Sequence, residues 1–170
     1  MITVLRLGHR AGRDPRISTH CALVARAFGA SKILYTGEHD SEMEDSVNSI
    51  VRSWGGPFEI KHEKSWRQVI TSWNGLKTHL TMYGIPLQER IAEVRKSKNL
   101  LVIIGGSKVP YEVYQLVDHN ISVTSQPHSE VAALAVLLHE YMQGKESRIG
   151  FSGAKLRVVP KERGKQVDKV

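Results

Sequence analysis

Cysteine occurs once, at position 21, so the chain has no internal disulfide and must hold together by packing. The apolar, helical setting of Cys21 makes it a small core residue. No apolar run approaches the length needed to cross a bilayer, and no membrane partner is expected. The start, MITVLRLGHR, lacks the charged and then apolar pattern of a secretory leader, and with the lone thiol this points to a reducing cytoplasm. The eight histidines form no His-x-x-x-His pair and no Cys/His cluster, so no metal is expected. Neither a Gly-x-x-x-x-Gly-Lys-Ser/Thr loop nor a Gly-x-Gly-x-x-Gly fingerprint occurs, which sets aside the common nucleotide folds. Asp14, Ser18 and His20 are the residue types of a hydrolase triad, but nothing near them forms a strand-to-helix nucleophile elbow.

What is present suits one domain. A chain of 170 residues with 41% hydrophobic content can bury a proper core, and it shows no internal repeat or low-complexity linker. The net charge of +7 resides at the two ends. Residues 1–16 carry four Arg against one Asp, and residues 155–170 carry six Lys or Arg against Glu162 and Asp168, leaving the middle neutral. If the fold joins the ends, they form a basic patch suited to phosphates; if not, the last residues are a solvated basic tail.

Strands alternate with helices along the chain. ITVLRL (2–7), SKILYTG, FEIKHE and LKTHLTMYG read as strands, and helices lie between them. Ser18 or Thr19 is placed to cap the first helix, and Gly29 stands where a left-handed residue would close it. Ser41 with Glu44, and Ser65 with Gln68, have capping-box spacing. Pro86 opens a charged amphipathic helix. LLVIIG and ISVTS are apolar without alternation, as expected of buried parallel strands. The helix predicted from Pro127 to Met142 is apolar on more than one face. Val131, Leu134, Ala135 and Leu138 fill one stripe, and Ala133, Val136 and Leu137 lie outside it. In a domain of this size that pattern predicts packing against a second copy of the chain. AKLRVV is a further strand, and PKERGKQVDKV has little to bury. The result is an α/β protein with a mostly parallel sheet and helices on both faces.

Ligands of open α/β sheets bind at the carboxyl edge of the strands. Three such edges carry glycine or polar loops here: LTMYG, IIGGSKVP and VTSQPHSE. Gly105 and Gly106 expose bare backbone, and a helix beginning at Pro127 would aim free N–H groups into the same crevice. These loops predict a nucleotide-like cofactor. His128 is either a ligand there or a surface histidine bonding its own helix end. Arg10, Arg13 and Arg16 follow the first strand, and guanidinium groups at that edge suit phosphate contact.

The segments LRLGHR, RDPRISTH, ALVARAFGA, LTMYG, SQPHSEVAALAV and VVPKERGK, in this order, resemble the archaeal tRNA cytidine-56 2′-O-methyltransferase family of the SPOUT superfamily. The resemblance covers nearly the whole chain. It implies a C-terminal trefoil knot threaded through residues 100–141, within a methyltransferase domain of residues 1–145. Residues 146–170 would be a basic extension, packed on that domain or trailing from it. It also implies S-adenosylmethionine as cofactor, tRNA as substrate and a homodimer through the last apolar helix. By position, the cofactor site falls on Leu80, on Gly105, Gly106, Ser107, Lys108 and Val109, and on Val123, Thr124, Ser125, Gln126, Pro127, His128, Ser129 and Glu130. The arginine that assists the ribose hydroxyl falls on Arg16, with Arg10 second; Arg13 and Arg26 remain alternatives. Two other activities fit the resemblance less well: a knotted RNA-binding protein without transfer activity, and a 2′-O-methyltransferase of the same fold acting on ribosomal RNA.

Overall fold

Runs of Val, Ile and Leu without alternation leave no face for water, and in the computed structural model, which describes residues 1–106 and 108–170, they become the strands of one sheet. In chain order the elements are β1 (Ile2–His9), α1 (Pro15–Ala27), β2 (Lys32–Gly37), α2 (Ser41–Trp54), β3 (Glu59–His62), α3 (Trp66–Ser72), β4 (Leu76–Pro86) and α4 (Leu87–Val94). There follow β5 (Leu100–Gly105), α5 (Tyr111–Leu116), β6 (His119–Ser122), α6 (Glu130–Met142), β7 (Leu156–Val159) and β8 (Gln166–Lys169), with a 3₁₀ turn over Lys145–Arg148. Among the described residues, six strands pair in parallel in the order β3-β2-β1-β5-β4-β6.

The expected layering is present. Leu100, Val102 and Ile104 of β5, with Ile2 and Val4 of β1, pack against Cys21, Ala22 and Ala25 of α1, Met43 and Val47 of α2, Ile91 and Val94 of α4, and Leu134 and Leu138 of α6. On the other face, Leu101 and Ile103 join Leu5 and Leu7 under Ile70 of α3 and Val113 of α5. Each fully buried Val, Leu, Ile or Met side chain here contributes about 1.5–3 kcal/mol before chain entropy is set against it.

β4 and β6 meet in an unusual way. Ile121 pairs with Leu80 and again with Ile85, so residues 81–84 loop out and return to the same point on β6. Gly84, the last residue of LTMYG, makes the return feasible: a Cβ there would lie 2.6 Å from backbone atoms of Asn120.

Helix starts differ from the sequence expectation in three places. α1 begins at Pro15, and Ser18 lies inside it, buried, with its Oγ 2.7 Å from His9 Nδ1. A tertiary partner has taken the hydroxyl that would have capped the helix. α2 is capped by Asp40, whose Oδ1 accepts from the Met43 N–H at 2.9 Å, so Ser41 is the first helical residue. α6 begins at Glu130 with Ser129 as its cap, and Pro127 and His128 belong to the preceding loop. Ser65 caps α3 as its spacing predicts, and Gly29 adopts φ +88°.

On α6 the buried stripe is Ala133, Leu134, Leu137 and Leu138, and Val136 is exposed, because the helix is wedged between the sheet, α1 and α4. The last residues are not a free tail, since β7 pairs with β8 in an antiparallel hairpin. This hairpin follows a segment fixed to the end of α2, where Gly56 bridges Ser152, the Lys155 N–H donates to the Ser53 carbonyl, and the Arg26 guanidinium lies 4.2 Å over the Phe151 ring. The arginine loop is at the start of α2, where the Ala11 N–H donates to Glu38. The segment that leads into the basic hairpin is therefore anchored at one end of a 14-residue helix, about 21 Å long, with the arginine loop at its other end.

Asp40→Ala should lower stability by about 1–2 kcal/mol in urea unfolding, because it removes the helix cap and a partner of His9. Ser41→Ala should cost less than about 0.5 kcal/mol. A larger loss for Ser41 would return the cap to that residue.

Candidate functional site

The carboxyl ends of β4, β5 and β6 lead into one crevice of about 330 Å³. Its walls include His79, Leu80, Thr81, Met82 and Tyr83 from β4, Ile104, Gly105, Gly106 and Val109 from β5 and its loop, Tyr114 from α5, and Pro127, His128, Glu130 and Ala133 at the start of α6. The size and the mainly apolar walls with a few polar groups suit a small organic ligand. Gly105 and Gly106 contribute differently. A Cβ on Gly105 would meet Val109 at 2.8 Å, so this glycine allows the loop to fold back over the strand; a Cβ on Gly106 would meet only Glu130, at 3.8 Å. Gly106 thus presents bare backbone beside the Glu130 carboxylate.

Glu130 is held from below. Arg6, on the sheet face that carries α1 and α6, is buried, and its Nη2 and Nε donate to Glu130 Oε1 at 2.9 and 3.1 Å. Its Nη2 also stands 4.0 Å from Asp14, which holds Arg10 at 2.9 Å and whose carboxyl lies below its usual range because of that arginine. Arg6 Nη1 has no partner among the described residues. Cys21 lies close by; burial, reinforced by Glu130, pushes its thiol up to about 12, so it is an inert core residue.

A second crevice, of about 600 Å³, opens where β1 and β2 end. Ala11, Arg16, Thr19, His20, His39, Asp40 and Ser41 are among the residues that line it. Beneath it His9 is buried and bridges Ser18, at 2.7 Å, and Asp40, at 3.1 Å. Asp40 lies below the usual carboxylate range, chiefly through the Met43 N–H and also through His9. Ser18 is 2% exposed, so this Ser–His–Asp chain cannot attack a substrate and serves as a brace. The triad of Asp14, Ser18 and His20 does not assemble.

Of the residues expected at the cofactor, the first crevice brings together Leu80, Gly105, Gly106, Val109, Pro127, His128 and Glu130. Lys108, Val123, Thr124, Ser125, Gln126 and Ser129 are not among its lining residues, and Ser107 lies outside the described residues. His128 Nδ1 is 2.7 Å from the Gln126 carbonyl, which ties it to the loop before α6 rather than to the helix end, and His128 is among the residues that line the crevice. Arg10 and Arg16 do not line this crevice. Arg10 pairs with Asp14, and Arg16 opens on the second one. Both follow β1 at the carboxyl edge as expected, but neither lines the crevice at the glycine loops. Arg6, His79 and Tyr114 escaped the sequence reading. A charge inside ITVLRL, or a histidine inside an apolar strand, is the one signal that marks the first two.

Among the described residues, no three His, Cys, Asp or Glu side chains are grouped to hold a metal, and no helix is long and apolar enough to cross a membrane. The family described as tRNA ribose 2′-O-methyltransferase, aTrm56, matches residues 54–168. The tRNA (cytidine(56)-2′-O)-methyltransferase of Pyrococcus abyssi is 51% identical over 175 residues, covering 100% of this chain and 88% of that protein. The protein of the same name from Archaeoglobus fulgidus is 53% identical over 166 residues, covering 98% and 97%. Among solved structures, the TrmH/SpoU tRNA modifying enzyme of A. aeolicus superposes with a TM-score of 0.65 at 12% identity, over 86% of this chain and 76% of that one. The SpoU methyltransferase AviRb of Streptomyces viridochromogenes, in complex with the cofactor AdoMet, gives 0.61 at 14% identity, over 86% and 58%. At such identities the structural likeness carries the fold.

Glu130→Ala should leave Arg6 buried with only its longer contact to Asp14 and cost about 3 kcal/mol in urea unfolding. Arg6→Met combined with Glu130→Met removes both charges and should recover most of that loss. Equal losses in the two proteins would mean that the pair does not act as a unit.

Proposed function

The chain belongs to the tRNA ribose 2′-O-methyltransferase family, and from that premise we propose that it transfers a methyl group from S-adenosylmethionine to the ribose 2′-hydroxyl of cytidine 56 in tRNA. The observation that carries this reading is the convergence of three strand ends on one glycine-floored crevice. The crevice fits the cofactor by its own chemistry: apolar walls at Leu80, Ile104 and Ala133 for a ring, open backbone at Gly106, and the Glu130 carboxylate for a cationic group. When bound, the cofactor supplies a methyl carbon on a sulfonium, which is its own leaving group and needs no metal.

The chain's residues do the rest. Gly106 and Glu130 fix one end of the ligand, and Leu80 and Val109 keep water from it. Bound there, the cofactor would supply its methyl carbon to the ribose oxygen and keep the sulfur's electron pair as a neutral thioether, with the hydroxyl proton passing to solvent water. Arg16, with Arg10 second, is the residue proposed to steady the developing alkoxide and clamp the neighbouring phosphate; because it opens on the other crevice of its own chain, this role falls to the arginine of a second copy in the homodimer, and as a permanent cation it is not the proton acceptor. RNA shape and exposed ribose count for more than base sequence in such recognition.

The proposal extends to assembly and threading. Residues 1–145 are taken as the transfer domain and 146–170 as a basic extension that grips tRNA. A trefoil knot through residues 100–141 is part of the same proposal. The exposed Val136 on α6 supports a homodimer through that helix. The protein works in the cytoplasm, where a reducing environment keeps Cys21 a free thiol.

Methyl-labelled S-adenosylmethionine with a tRNA transcript should place label on cytidine 56, and 2′-deoxycytidine at that position should abolish it. Label in ribosomal RNA from total RNA, or no calorimetric heat with the cofactor, would overturn the assignment. Arg16→Ala should lower turnover about 100-fold or more, with cofactor affinity within about threefold of wild type; equal loss of both would make Arg16 a structural residue.

A further inference from the structure

The base of a nucleotide hangs from the carbon next to the one that bears the 2′-hydroxyl, so whatever brings that oxygen to a crevice brings the base to the rim. The rim of the first crevice carries an aromatic ring. Among the described residues, Tyr83 and Tyr111 are the exposed members of the Phe, Trp and Tyr set, at 78% and 74%. Both stand at this one crevice: Tyr83 is part of its wall, and Tyr111 stacks on Tyr114, another part, with 6.3 Å between ring centroids. The backbone holds the Tyr83 ring out. It belongs to the segment 81–84 that loops out between two pairings with Ile121. Its N–H donates to Thr81 Oγ1 at 3.4 Å, and that hydroxyl stands 3.3 Å from Tyr114 Oη. The close return at Gly84 anchors the other side of the loop.

We propose that Tyr83 is the platform on which the base of the methylated nucleotide stacks while its ribose faces the crevice. The inference rests on the methyl-transfer reading above and adds a contact to the RNA that this reading leaves open. A nucleotide that turns its sugar into a crevice gives up stacking on its neighbours, and an aromatic side chain at the rim replaces what is lost. Tyr83 is suited to this because it belongs to two surfaces at once. It also lines a smaller hollow, of about 280 Å³, together with Gly84, Ile85, Arg90 and Asp118. Asp118 is committed there, meeting the Lys77 N–H at 2.7 Å and its ammonium at 3.5 Å. The Arg90 guanidinium is then the group in that hollow that suits the phosphate next to the base.

The test crosses two changes: Tyr83→Ala, and a tRNA transcript in which nucleotide 56 keeps its ribose hydroxyl but lacks its base. Tyr83 is so open to water that the truncation leaves no cavity, and the variant folds. In filter binding, Tyr83→Ala should raise the Kd for the ordinary transcript about tenfold, and Tyr83→Phe, which keeps the ring, should restore it. Base removal should weaken binding about tenfold more in the wild-type protein than in Tyr83→Ala, since the two changes delete the same contact. Calorimetry with S-adenosylhomocysteine should give matching affinities for the wild-type protein and Tyr83→Ala. Equal penalties for base removal in the two proteins would sink the platform while leaving methyl transfer intact. A parallel loss of cofactor affinity would make Tyr83 a cover for the cofactor, and a change in sedimentation would make it a contact between copies; either overturns the proposal. A wild-type protein that puts no label on cytidine 56 would sink both readings.

Discussion

A guanidinium buried under the sheet's carboxyl edge sets the positions of the elements that make the site. Arg6 points from β1, between Val4 and the strand's end, and meets Glu130 at the first residue of α6 and Asp14 at the start of α1. These two helices are far apart in sequence and pack on each other over the same sheet face. Taking an arginine out of water is unfavourable unless its donors are met. The arrangement that meets Nε and Nη2, with Nη1 left without a partner among the described residues, also brings the start of the last helix beside the glycine loop of β5. Glu130 faces the crevice because its other side is committed to Arg6. The pair thus links packing to function: whatever sits beside Gly106 meets a carboxylate whose position the core has fixed.

The sheet order explains why the site divides. From β1 the chain builds outward through β2 and β3 on one side, and β5, β4 and β6 fill the other. Loops that follow β1 and β2 serve the second crevice, and loops that follow β4, β5 and β6 serve the first. Arg6 lies on the central strand between them. A ligand confined to one crevice meets either the arginine group or the glycine group, whereas an RNA spanning the edge can meet both.

The parts of this that were legible in the sequence are those that depend on local pattern. Unbroken apolar runs identified the buried strands, the paired glycines marked the edge with open backbone, and Ser65 stands three residues before the N–H it caps. What escaped depends on contacts between distant residues. Asp40 outcompetes Ser41 as a cap because it also meets His9, 31 positions earlier. Ser18 is diverted from its helix end by the same histidine. His79 finds its partner in Asn120, 41 positions on, and no periodicity announces that. The stripe on α6 is rotated from the expected one because α1 and α4 both claim it. The hairpin forms because β7 finds β8 across a Gly-containing turn, a pairing that a run of charged residues conceals.

Charge placement carries the argument from fold to the size of the partner. The arginine loop is at the start of α2, and the extension that leads to the basic hairpin is fixed at its end, so the two segments are anchored about 21 Å apart. At physiological ionic strength fields decay over about 8 Å, so charges at the two anchoring points do not reinforce each other through solvent. A free nucleotide reaches only one of them. A ligand that satisfies both must itself carry phosphates across that span, which a folded RNA does and a mononucleotide does not. The neutral middle of the sequence then has a physical reading: it is the part that builds the sheet and its crevice, where a small ligand is held by shape and a few fixed polar atoms, while attraction for the polyanion is left to the two ends.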